Sequence, residues 1–174
     1  MTTKTETALT TQVYRVYIKA TPEAIWDAIT KPEWTEKYLY ESRVEYDLRP
    51  GGAYRAYPSD MMKKHAVELG YPLPPDVVAD GEVIEADPPR KLVQTWRMLM
   101  DEAMAAEGYT RLTWEIEETR DGITKLTVIH ELEGKPILRA LVGGGMESEG
   151  AGGGWSEILS GLKTLLETGE ALWG

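Results

Sequence analysis

The chain has 174 residues, 42% of them hydrophobic and 28% charged, with a net charge of −10 and no cysteine. Its length fits one folded unit that buries roughly 70% of the surface its unfolded form exposes, and its acidity argues against nucleic acid and anionic membranes as partners. The missing cysteines exclude disulfides, thiolate metal sites and a cysteine nucleophile.

No apolar run reaches the roughly 18 residues of a membrane span. The polar lead-in 1–12 lacks the apolar core of a signal peptide, so a cytoplasmic protein without membrane insertion is expected. Six Trp and nine Tyr, with no Phe, predict an interior whose aromatic rings carry polar handles that want partners.

In chain order, Tyr14, Val16, Ile18 and Ala20 alternate with Arg15, Tyr17 and Lys19, which predicts a half-buried first strand. Thr21 caps a helix with Pro22 at its first position, and Ala24, Ile25, Ala28 and Ile29 form its apolar stripe. A second short helix is expected over 33–39. Strands follow over 44–48 and 53–57, joined by the Arg49-Pro50-Gly51-Gly52 turn. Residues 59–79 break the rhythm with a helical turn or two and a proline-rich loop. Strands return over 81–86 and 91–98, then a helical excursion over 99–108.

The strands 109–118 and 123–132 form the clearest hairpin, turning at Arg120-Asp121-Gly122. A short helix is expected over 135–142. Seven of the twelve residues from Gly143 to Gly154 are glycine, which predicts a flexible connection. The last helix carries Trp155, Ile158, Leu159, Leu162, Leu165 and Leu166 on one stripe. At 1.5 Å per residue it is about 20 Å long, enough to cross several strands. Gly161 within it allows a close approach to the sheet, room for a ligand, or simple tolerance.

Five segments in this order resemble the family of the heat-shock protein 90 ATPase activator homologues, within the START-like (SRPBCC, Bet v 1-like) superfamily. They are ATPEAIWDAIT, RPGGAYR, GEVIEADPPRKLVQTW, the hairpin TRLTWEIEE with TKLTVIHELEG, and GGGWSEILSGLKTLLETG. The resemblance spans roughly 13–169. It implies an α+β helix-grip fold. A curved antiparallel sheet of about six to seven strands would wrap round a long C-terminal helix, with two short helices after the first strand. Residues 1–174 would form a single START-like domain with a tail at 170–174. It also implies a mostly apolar cavity between sheet and helix, and hence the binding of a small hydrophobic or aromatic molecule. The alternatives are a cyclase- or hydrolase-like enzyme and a protein-interaction module that stimulates a chaperone ATPase, so a homodimer or a chaperone partner is also entertained. The loops 59–79 and 134–153 look longer than the minimal pattern and would set specificity at a cavity rim or act as a lid.

Strand alternation turns His130 inward with Leu126 and Val128. An imidazole there is a buried neutral histidine bonded to a neighbour, an anchor for a ligand, or a general base. Gln94 and Trp96 share a face with Leu92 and Met98, and are either ordinary core or the few polar groups of a pocket. Tyr46, Tyr54 and Trp114 carry the same choice; Trp155, Leu159 and Leu162 would supply the wall on the helix side.

Apart from His130, no catalytic residue is nominated. With only His65 and His130, no H-E-x-x-H and no clustered carboxylates, no metal is expected. The glycine run lacks the P-loop lysine and holds Glu147 and Glu149, so no phosphate cradle and no cofactor are expected.

Overall fold

Residues 10–172 are described by the computed structural model. β1 (Thr11–Ile18) leads into α1 (Pro22–Thr30), whose first turn is closed by Thr21 Oγ1 accepting from the Ala24 N–H at 3.1 Å. The stripe that α1 buries is Ile25, Trp26, Ala28 and Ile29, so Trp26 takes the place expected of Ala24. α2 (Pro32–Tyr38) follows at once, again with proline in its first turn.

β2 (Arg43–Tyr46) is shorter than the pattern suggests. The Asp47 N–H already turns to the Ala53 carbonyl at 2.9 Å, and the chain reverses through Gly51 and Gly52 into β3 (Ala53–Tyr57). α3 (Asp60–Leu69) is longer than the expected turn or two. Ser59 Oγ caps it from the Met62 N–H, and Gly70 ends it in the left-handed conformation.

β4 (Ala79–Asp87) and β5 (Lys91–Met98) form a hairpin whose register shifts between Val83 and Glu85. α4 (Glu102–Ala106) is capped by Asp101. β6 (Thr110–Arg120) and β7 (Ile123–Glu131) make the long hairpin turning at Asp121-Gly122. α5 (Pro136–Val142) takes its N-terminal cap from a distance: both oxygens of the Glu107 carboxylate accept, at 2.9 Å each, from the Ile137 and Leu138 N–H groups. A 3₁₀ turn (Glu147–Glu149) then precedes α6 (Trp155–Thr168).

All strands join one antiparallel seven-stranded sheet in the order β1-β7-β6-β5-β4-β3-β2. First and last strands are therefore neighbours, and the sheet curves round α6. The inner face is apolar, with Ile18, Leu92, Leu112, Trp114, Leu126 and Val128 all buried. Polar contacts tie α6 to the β1 edge. Lys163 Nζ donates to the Tyr17 carbonyl at 2.6 Å, and the Lys19 N–H donates to Glu167 at 2.8 Å. Gly161 approaches α2 rather than the sheet: a Cβ there would lie 3.5 Å from Tyr38 Cβ, in ordinary contact.

The glycine-rich segment is docked, not free-standing. The Gly150 carbonyl meets His65 Nε2 at 2.9 Å, and the Glu149 carbonyl accepts from the Tyr71 hydroxyl at 2.9 Å, both partners coming from α3 and the loop after it. The segment delivers Gly154 to the start of α6 with φ 72° and ψ −151°, a region open only to glycine. A Cβ at Gly154 would also stand 2.1 Å from the Val142 carbonyl oxygen. Gly51 is the natural control, since it has φ +86° and open space around it. Gly51→Ala should cost about 1–2 kcal/mol for the backbone alone, whereas Gly154→Ala should cost clearly more, about 3 kcal/mol or above. Denaturant midpoints of the two variants measure the difference, and equal losses would mean that Gly154 is not sterically locked.

Candidate functional site

β7 carries His130 inward at its C-terminal end, and the side chain is wholly buried, at 0% exposure. Its two ring nitrogens are engaged from opposite sides. The indole N–H of Trp155, in the first turn of α6, points at Nδ1 at 3.1 Å, and Thr110 Oγ1 lies 2.8 Å from Nε2.

The tautomer follows from the neighbours. An indole nitrogen can only donate, so Nδ1 is the acceptor. The Thr110 hydroxyl spends its proton on the Trp96 carbonyl at 2.8 Å, so it accepts from Nε2–H. The imidazole is thus neutral with its proton on Nε2. Burial pushes its pKa down to about 3. Trp96 and Trp155 both meet the ring edge to face, with centroids 5.3 and 5.9 Å away.

A second polar group lies along the same inner face. Gln94, also at 0% exposure, accepts at Oε1 from the Tyr46 hydroxyl at 2.6 Å. Tyr46 and Tyr54 pack with ring centroids 4.8 Å apart, and the Tyr54 hydroxyl lies against the Trp96 side chain. Burial raises the pKa of Tyr46, Tyr54 and Tyr38, so each phenol stays neutral. Trp96 therefore joins the tyrosine–glutamine group to the histidine group.

Trp114 stands edge to face with Trp155 at 5.2 Å. Its indole N–H is buried and has no hydrogen-bond partner among the described residues. Leu159 and Leu162 line the α6 side and are buried, while Met98 at the end of β5 is half-buried.

All ten residues expected at the site thus belong to one apolar cluster or its polar inserts, although Tyr46 and Tyr54 sit at the β2–β3 end, away from His130. Two further residues matter that the strand pattern does not nominate. Thr110 fixes the histidine tautomer, and its one available signal is position, opposite Trp96 across the β5–β6 ladder. Tyr38 is buried under Tyr46 and Tyr54 and donates to the Ala28 carbonyl at 2.8 Å. Among the described residues, no group of three or more His, Cys, Asp or Glu could hold a metal ion, and no helix is long and apolar enough to cross a membrane.

A seven-stranded antiparallel sheet closed on a C-terminal helix, with two short helices after its first strand, defines a START-like helix-grip protein. Residues 19–167 match the family described as activator of Hsp90 ATPase homolog 1-like protein, and the chain belongs to that family.

Among solved structures it is similar to the Aha1 dimer from Colwellia psychrerythraea, at 18% identity and a TM-score of 0.61, over 92% of this chain and 98% of that one. It is also similar to protein MLL2253 from Mesorhizobium loti, at 21% identity and a TM-score of 0.60, over 90% and 96% of the two chains. An HSP90 activator from Plasmodium falciparum matches at 19% identity and a TM-score of 0.52, over 71% and 73%. At these identities the likeness is one of fold. No curated protein matches the sequence.

The buried histidine ties stability to pH. Its folded pKa lies below the unfolded value of about 6.5, so the unfolded chain takes up a proton first and folding weakens as pH falls through that window. Between pH 6.5 and 5 this group alone should remove about 1.5 kcal/mol. Urea unfolding of the wild type and His130→Gln across that interval measures it. The variant should lose that part of the slope, and identical slopes would mean that His130 is not held neutral.

Proposed function

We propose that the protein, acting as a single START-like domain in the cytoplasm, binds a small uncharged molecule, largely apolar or aromatic and bearing a hydrogen-bond acceptor, between the inner face of the sheet and α6. The observation that carries this reading is the Trp114 indole N–H, buried without a partner in an apolar interior. An unpaired buried donor costs about 1–3 kcal/mol, and an acceptor on a bound molecule would satisfy it.

The surroundings favour a neutral occupant. Burial holds the three tyrosines protonated and His130 deprotonated, so a charged ligand would meet the same desolvation penalty. Met98 and Met146, both partly buried against the core, are side chains that repack readily around an incoming molecule. Burying ~300 Å² of apolar ligand surface supplies on the order of 7 kcal/mol before the costs of association. No cofactor is invoked.

Binding is preferred to catalysis because of His130. A general base works best with a pKa near the operating pH and a nitrogen within reach of substrate. Here the pKa lies near 3 and both nitrogens already serve Trp155 and Thr110. The HSP90 activator among the similar structures supplies the second reading, a chaperone partner. It predicts a rise in HSP90 ATPase rate when the protein is added.

Titration of intrinsic Trp fluorescence with neutral aromatic ketones and their parent hydrocarbons tests the ligand reading. Ketones should give a saturable response, and Trp114→Phe should weaken them about tenfold while leaving the hydrocarbons unchanged. The same substitution removes the unpaired donor but also trims a buried ring packed on Trp155, so unfolding stability should change by no more than about 1 kcal/mol. Absence of any saturable response across the panel would sink the reading.

A further inference from the structure

The opposite, outer face of the sheet carries a concavity of different chemistry. It has a volume of about 450 Å³, within the range of small-molecule sites. Its floor is a row of residues that the register places side by side across four strands: Arg15 on β1, Thr127 on β7, Glu115 on β6 and Lys91 on β5. Three strand spacings of about 4.8 Å set the two cations of this row about 14 Å apart at the backbone.

Neighbouring charges on the rim are spoken for. Lys125 pairs with Glu117 at 3.3 Å and Arg90 with Asp87 at 2.8 Å. Arg15 and Lys91, by contrast, enter none of the ion pairs among the described residues. Thr127 lies at the bottom, 6% exposed. One step along the strands, Val13 and Ile129 face each other as an apolar pair, with Val13 44% exposed.

We propose that this outer groove is a binding site for a small amphipathic anion, with Arg15 and the Thr127 hydroxyl holding a carboxylate or phosphate group and Val13 and Ile129 covering the apolar body. Glu115 lies between Thr127 and Lys91 in the row, and Arg15, on the other side of Thr127, is the unpaired cation nearest the apolar pair. The floor runs from the edge strand β1 across β7 and β6 to β5, and it lies open on the outer face of the sheet. A guanidinium binds a carboxylate or phosphate by paired hydrogen bonds, which a neutral head group cannot exploit. The site is independent of the interior one and stands if that reading fails.

Amide chemical shifts followed by NMR during titration with hexanoate, phenyl phosphate and 1-hexanol test the proposal. The two anions should shift the amides of Val13, Arg15, Thr127 and Ile129 with saturation, more weakly as salt is raised, and hexanol should not. A stronger response to phenyl phosphate than to hexanoate would assign a phosphate ligand, and the reverse a carboxylate. Arg15→Gln, at an exposed position, should weaken anion binding about tenfold, and Trp114→Phe should leave it unchanged. The proposal is overturned by shifts that map to the interior, by equal response to hexanol, by indifference to Arg15→Gln, or by no saturation at millimolar anion.

Discussion

One hydrogen bond, from the Trp155 indole to Nδ1 of His130, sets the terms on which sheet and helix meet. It joins the first turn of α6 to the end of β7, with both side chains buried. An unpaired nitrogen there would cost more than the bond is worth in solution, so the helix is anchored at its N-terminal end as well as by apolar contact. The consequences run back along the chain. Because Trp155 is fixed, the residue before it must enter the helix from a conformation only glycine adopts, with the Val142 carbonyl pressed against it. The glycine-rich approach to α6 is thus shaped by where the indole has to be.

The same constraint explains an interior built from Trp and Tyr with no Phe. Three polar handles on the inner face are directed to specific acceptors: Trp155 to His130, Tyr46 to Gln94 and Tyr38 to the Ala28 carbonyl. Apolar packing is non-directional and would tolerate small slips of helix against sheet, whereas these bonds do not. They also hold the interior electrically neutral, since burial moves phenol and imidazole pKa values away from physiological pH in opposite directions. Trp114 breaks the pattern: its ring packs against Trp155 but its N–H is left unpaired. The inner face is therefore complete as a packing surface and incomplete in hydrogen bonding at one atom.

Much of this is legible in the sequence. Period-two alternation assigned the inward faces of β1, β5, β6 and β7 correctly, because a strand with one buried face cannot slip by one residue without inverting every side chain. The cap at Thr21 is equally plain, since its chemistry is local. Where physics depends on distant partners, the sequence fell short. α3 grew to ten residues because Ser59 and Gly70 close both its ends, a frame hidden by the proline-rich stretch that follows. Thr110 is an unremarkable threonine until the β5–β6 register sets it beside Trp96. The glycine segment reads as slack, yet His65 and Tyr71 hold it from more than seventy residues away in sequence.

The strand period that organises the interior also separates the two proposed sites. Adjacent residues on β6, Trp114 and Glu115, point to opposite faces, as do Val128 and Thr127 on β7. One face thereby collects neutral aromatic groups and the other fixed charges, with a single layer of backbone between them. A charged ligand gains nothing from the inner face, where there is no free counter-charge to offset its desolvation. A neutral apolar one gains little from the outer groove, where most of the lining is charged and already hydrated. The two proposed sites would thus take different kinds of small molecule by alternation alone. Because the sheet's register is fixed by the buried face, the outer row of Arg15, Thr127, Glu115 and Lys91 is aligned by the same packing that aligns the core.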